Sequence, residues 1–113
     1  AETGSGKTIA YLAPVLSKLL QSKDSQVLIL SPTRELSTQI SIVVRDLLVF
    51  SPNMPAALLI GGMAMSQQVR SLRKRPQILV ATPGRLMDHV RQRTVDLKKI
   101  THLVLDEADR MFD

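Results

Sequence analysis

The sequence has no cysteine, no tryptophan and only three aromatic side chains, Tyr11, Phe50 and Phe112. Without cysteine, disulfides, iron–sulfur clusters and thiolate zinc sites are excluded. Three scattered rings cannot build a platform on which bases stack. No apolar run approaches the roughly 20 residues that a membrane-spanning helix requires, and no signal-peptide pattern opens the chain. Internal repeats, low-complexity tracts and linkers are missing too. His89 and His102 have no metal-ligand spacing to each other or to a third ligand, and read as structural or surface residues.

What is present suits one modest domain at most: 113 residues, 44% apolar and 22% charged. Fifteen Lys and Arg against ten Asp and Glu leave a net charge of +5, with a pI near 10.1. That is a mild lean towards polyanionic partners. The chain opens at Ala1 and stops at Asp113, just after a chemical motif, and this reads as a piece of a longer protein.

Four short apolar runs stand out: Val27 to Leu30, Ala56 to Ile60, Ile78 to Ala81 and Leu103 to Leu105. They are continuous rather than alternating, as expected of strands buried on both faces of a parallel sheet. Helical spacing fills the intervals. Ile9, Leu12, Leu16, Leu19 and Leu20 form one stripe, with a kink predicted at Pro14. A stronger stripe comprises Leu36, Ile40, Val43, Val44, Leu47 and Leu48; Leu86, Met87 and Val90 suggest a short one, and Val69 with Leu72 a fragment. Strands alternating with helices predict an α/β fold with a parallel sheet flanked by helices. Ser51 to Pro55 reads as a loop.

The segment Ala1-Glu2-Thr3-Gly4-Ser5-Gly6-Lys7-Thr8 enters a predicted helix through Gly-Lys-Thr. Triphosphate binding needs small residues whose N–H groups wrap phosphate oxygens, a lysine for the terminal phosphates and a hydroxyl for Mg²⁺. Gly4 and Gly6, Lys7 and Thr8 fill those roles, and the helix start adds its positive dipole end. Ala1 stands where the usual pattern has glycine, so a Gly-Ser turn with a surface lysine is the alternative. The other half of such a site is a carboxylate at a neighbouring strand's tip. Leu103-Val104-Leu105-Asp106-Glu107 provides two. Asp106 is the candidate to hold the metal through its water shell, and Glu107 the candidate general base that orients the attacking water.

Two further turns follow apolar runs, Ser31-Pro32-Thr33-Arg34-Glu35-Leu36 and Thr82-Pro83-Gly84-Arg85. Thr33 and Thr82 suit helix N-caps, and Pro83 suits a first helical position. In a parallel sheet such turns share the carboxyl edge, where ligands bind. Each offers free N–H groups beside an arginine, which suits phosphate. Gly61-Gly62 follows a third run at that edge. One nucleotide cannot occupy all of these turns, and the spare ones fit a nucleic-acid backbone, bound without regard to sequence and sensitively to salt.

These residues together resemble the DEAD-box family of ATP-dependent RNA helicases. Ala1 to Thr8 is similar to its first motif, including the alanine at its head, and Asp106-Glu107-Ala108-Asp109 spells the family's name. Pro32-Thr33-Arg34-Glu35-Leu36, Gly61-Gly62 and Thr82-Pro83-Gly84-Arg85 are similar to its three RNA-contacting motifs. The resemblance implies a RecA-like P-loop NTPase domain, incomplete at both ends, with residues 1–113 running from the P-loop to the DEAD motif. It implies ATP with Mg²⁺ held through Ala1, Thr3, Gly4, Ser5, Gly6, Lys7, Thr8 and Asp106. RNA would be gripped at Pro32, Thr33, Arg34, Gly61, Gly62, Thr82, Pro83, Gly84 and Arg85. Asp109 would couple hydrolysis to RNA, and a second RecA-like domain of the parent chain would complete the enzyme. The parent is expected to unwind or remodel short RNA duplexes inside the cell, in the cytoplasm and away from membranes. The piece alone is expected to be inactive and marginally stable, with exposed sheet edges. A DNA translocase and a non-catalytic RNA clamp latched by ATP are the alternatives. The run Arg70-Ser71-Leu72-Arg73-Lys74-Arg75 reads as a solvated helix end, with an auxiliary RNA contact as its alternative.

Overall fold

The computed structural model describes residues 14, 18, 21–48 and 56–106. The phosphate loop, most of the first predicted helix with its kink, Glu107 and Asp109 lie outside the described residues, although Pro14 itself is helical and exposed. Four strands form one parallel sheet: β1 (Val27–Leu30), β2 (Ala56–Leu59), β3 (Ile78–Ala81) and β4 (His102–Leu105). Their order across the sheet is β2-β3-β1-β4. Ile60 falls just outside β2, and His102 joins β4 because its amide and that of Thr101 both donate to the Gln26 carbonyl.

Three helices make the crossovers: α1 (Arg34–Leu47), α2 (Met65–Arg73) and α3 (Pro83–Arg91), with a 3₁₀ turn (Leu97–Lys99) before β4. From β1 the chain moves across the sheet one way to β2, then reverses for β3 and β4. Right-handed crossovers in opposite directions place their helices on opposite faces. The packing follows. Val27, Ile29, Ile78 and Val80 point to one face and bury against Ile40 and Val44 of α1. Leu28, Ala57, Leu59 and Leu79 point to the other and pack with Leu86 of α3 and Val95, with Leu72 of α2 and Val90 against them. Both faces are covered, so the apolar runs are continuous, and each fully buried Val, Leu or Ile contributes about 1.5–3 kcal/mol.

The open place is β4. Leu103 and Leu105 lie on the α2–α3 face and are 57% and 44% exposed. Met87 departs from its predicted stripe at 42% exposed, because the inward face of α3 consists of Leu86, His89 and Val90. The strongest stripe behaves as read: α1 starts at Thr33, whose side-chain oxygen accepts the Leu36 amide at 3.1 Å, and carries Glu35 in its first turn and Arg45 in its last. Among the described residues no helix is long and apolar enough to cross a membrane.

Candidate nucleotide and nucleic-acid site

Strand register builds the site. Leu30 lies opposite both Ala81 and Leu105, and Leu59 lies opposite Ala81, so the four strands end flush. The segments that follow them, beginning at Ser31, Ile60, Thr82 and Asp106, therefore leave from one edge. Three amides continue the ladder beyond the strands: Ser31 donates to Ala81 O, Thr82 to Leu59 O and Asp106 to Leu30 O, at 2.9 to 3.2 Å. That bond seats Asp106 beside the Ser31 turn, and the residue is only 6% exposed.

Pro32, Thr33, Arg34, Gly61, Thr82 and Arg85, six of the residues singled out for RNA, line one shallow groove of about 410 Å³ together with Glu35 and Asp88. Gly62 lines an adjoining hollow of about 390 Å³ with Arg34 and Gly61. Pro83 and Gly84 are exposed at the start of α3, and a Cβ on Gly84 would meet nothing within 4 Å. Thr82 holds the N-cap position, as predicted from its place before Pro83, yet its hydroxyl makes no capping bond. The first-turn amides of α3 are thus left uncapped by that hydroxyl, at a helix start whose Thr82 and Arg85 line the groove.

The two arginines differ in their freedom. Arg34 is exposed and makes one long bond, from Nη1 to Gly61 O at 3.4 Å. Arg85 donates from Nη2 to Met63 O at 2.7 Å and from Nε to Gln68 Oε1 at 3.1 Å, with Nη1 3.9 Å from Asp88. It acts as a strut between α3 and the Gly61–Met63 turn, and it borders the groove with its Nη1 beside Asp88. Gly62 has φ +82°, and a Cβ there would run into the Arg34 guanidinium. Gly62→Ala is therefore expected to cost about 1–2 kcal/mol in backbone strain and to displace Arg34. Urea denaturation and RNA titration of the variant check this; unchanged stability and affinity would contradict it.

Two residues that pattern reasoning left aside organise the turns. Gln68, 2% exposed, donates from Nε2 to Ile60 O at 2.6 Å, which fixes its amide orientation. Its Oε1 then faces Arg85 Nε and, at 2.7 Å, His89 Nε2. His89 is fully buried, so its structural reading is correct and its surface reading is not. Facing the Gln68 carbonyl oxygen, Nε2 carries a proton, and Nδ1 lies 2.8 Å from the Thr94 hydroxyl, which also donates to His89 O at 3.0 Å. Burial, then the positive charge of Arg85, lower its pKa below the ordinary 6.5, against a smaller opposing effect of Asp88. A depressed histidine binds its proton more readily when unfolded. Stability is therefore expected to fall as pH drops through 6.5 and to keep falling until the folded ring is protonated. Denaturation at a series of pH values, with His89→Gln flattening the slope, checks it. A polar residue one turn before Leu72, on the face of α2 that packs inward, was the available signal for Gln68.

The model of the DEAD/DEAH box helicase family matches residues 1–113, the entire chain. The chain belongs to that family. Similar members include an ATP-dependent rRNA helicase RRP3 of Phaeosphaeria nodorum, 50% identical over 100% of this chain and 21% of the relative. The ATP-dependent RNA helicase DeaD of Escherichia coli is 46% identical over 98% of this chain and 18% of the relative. Among solved structures, the yeast DEAD-box splicing factor Prp28 superposes with a TM-score of 0.85 at 37% identity, over 100% of this chain and 28% of that one. The chain thus spans about a fifth of the length of these curated relatives, and its sheet and helices have the family's RecA-like fold.

Proposed function

We propose that this chain is the nucleotide-binding part of an ATP-dependent RNA helicase whose complete form hydrolyses ATP to unwind or remodel short RNA duplexes. One observation carries the reading: the groove of about 410 Å³ that collects residues from three separate strand-end turns, on the same edge as the buried Asp106. The start of α3, which has no side-chain cap, together with the exposed Arg34 and the tethered Arg85, is suited to phosphates. Nothing lining that groove is aromatic, so the grip falls on backbone rather than bases.

A carboxylate at the tip of β4, shielded from bulk water, fits a nucleotide-bound divalent cation. Mg²⁺-ATP, when bound, supplies the phosphoanhydride bond whose cleavage drives the cycle. Ala1, Thr3, Gly4, Ser5 and Gly6 would hold its phosphates, Lys7 would neutralise their charge, and Thr8 with Asp106 would hold the metal. Glu107 accepts the proton of the hydrolytic water. Asp109 couples the site to RNA across the contact with a second RecA-like domain.

Titration of two unrelated single-stranded RNAs and one DNA, with a non-hydrolysable ATP analogue and over a range of salt, tests the reading. Near-equal affinity for the two RNAs, a log–log salt slope of about −0.7 per phosphate contact, and weaker DNA binding are expected. Strong preference between the RNAs, or no salt dependence, would defeat it.

A further inference from the structure

The opposite edge of the sheet carries a second groove, of about 780 Å³, bounded by the residues that enter β1, β3 and β4 and by the ends of α2 and α3. Lys23, Arg75, Arg93, Lys98 and Lys99 line it, against Asp24 and Asp96. All five cations are exposed, and none makes a salt bridge among the described residues, where both ion pairs belong to Asp88.

Two of these cations occupy an unusual backbone position. Arg75 and Arg93 have φ +56° and +62° and are the only non-glycine residues with positive φ among the described residues. Each stands just past a helix C-cap. The Arg75 amide donates to Leu72 O, the Arg93 amide to Val90 O, and the Thr94 amide to His89 O at 2.9 Å. The end of α3 is a Schellman motif, and the end of α2 makes only its inner bond because Pro76 has no N–H to donate; at both, the left-handed position is one that glycine favours. Arginine there is strained, and it occurs at two helix ends that open on the same groove. Compensation of helix dipoles does not account for it, because Arg70 and Arg73 already close α2 and Arg91 already lies in the last turn of α3.

We infer that this groove is a second phosphate-binding surface, which holds RNA running beyond the site at the carboxyl edge. The inference rests on the RNA reading given above. A guanidinium binds phosphate bidentately, and strained residues kept in one concave place mark function more often than folding. RNA is favoured over an acidic protein segment because Leu79, Pro76 and Val95 in the lining are buried and Leu72 is the one partly exposed apolar side chain there, too little to anchor a peptide against five exposed cations. Arg75, read as the end of a solvated run, thereby gains a role.

The test replaces Arg75 and Arg93 together by glycine in the full-length protein, and in a second variant Lys98 and Lys99 by glutamate. Glycine suits the left-handed positions, so the first variant is expected to melt at or above the parent temperature while its charge is lost. Affinity is measured for a short RNA that fills only the carboxyl-edge groove, for a long RNA that reaches both edges, and for a glutamate-rich peptide. Both variants are expected to keep short-RNA affinity and to lose about tenfold for the long RNA, with the salt slope falling by about 0.7 for each lost contact. Long-RNA affinity equal to the parent's would overturn the inference and leave the carboxyl-edge reading standing. Absence of short-RNA binding by the parent would instead overturn that earlier reading. Binding of the acidic peptide by the parent and its loss in the variants, with long RNA unaffected, would assign the groove to a protein partner and overturn the inference as well.

Discussion

The Glu107→Gln protein is expected to hydrolyse ATP about 10² to 10⁴ times more slowly than the parent while binding nucleotide as tightly. Asp106 ends the ladder at the tip of β4, its amide tied to Leu30 O at 2.9 Å, and Glu107 follows it directly. One acid adjoining a metal and the next adjoining water is the division of labour that a hydrolytic site needs. Glutamine preserves size and hydrogen bonding but cannot take up a proton, so binding and turnover separate. Steady-state hydrolysis with saturating RNA, alongside titration of a fluorescent nucleotide, reads both quantities. Unchanged turnover would remove Glu107 from the base role.

Gln68→Leu is expected to be the most damaging substitution within the described residues. Leucine fills the space but leaves Ile60 O, Arg85 Nε and His89 Nε2 without their shared partner. At about 1–3 kcal/mol for each buried group left unsatisfied, the loss is about 3 kcal/mol or more. The effect reaches the groove, because Arg85 and the Gly61–Met63 turn lose a common tether; RNA affinity is expected to fall even under conditions where the variant remains folded. Urea denaturation and RNA titration at low temperature check both. A variant as stable as the parent would show that the network is incidental.

The elements were legible in the sequence where burial is two-sided. Val27 to Leu30 and Ile78 to Ala81 are strands over those same residues, because a strand covered on both faces leaves no polar interruption. Thr33 marked the start of α1 for a local reason, its hydroxyl reaching three residues ahead. Strand order was not legible, since runs that are apolar on both faces do not encode which neighbour they join. Helix α2 showed only Val69 and Leu72, because the buried centre of its inward face is Gln68, whose partners lie 8 to 21 residues away in sequence. The turns around Pro32, Gly61 and Thr82 were found together because a parallel sheet delivers them to one edge. What Arg85 does there was hidden, since its acceptors belong to another turn. The left-handed ends at Arg75 and Arg93 were invisible for a simpler reason: the glycine that signals them is absent.

Two ligands on one sheet edge, ATP and RNA, are expected to be coupled. Steady-state ATP hydrolysis by the full-length protein, measured alone, with single-stranded RNA and with single-stranded DNA, tests that coupling most directly. Strong stimulation by RNA and little by DNA is the predicted result. Equal stimulation by DNA, or hydrolysis indifferent to either nucleic acid, would contradict it.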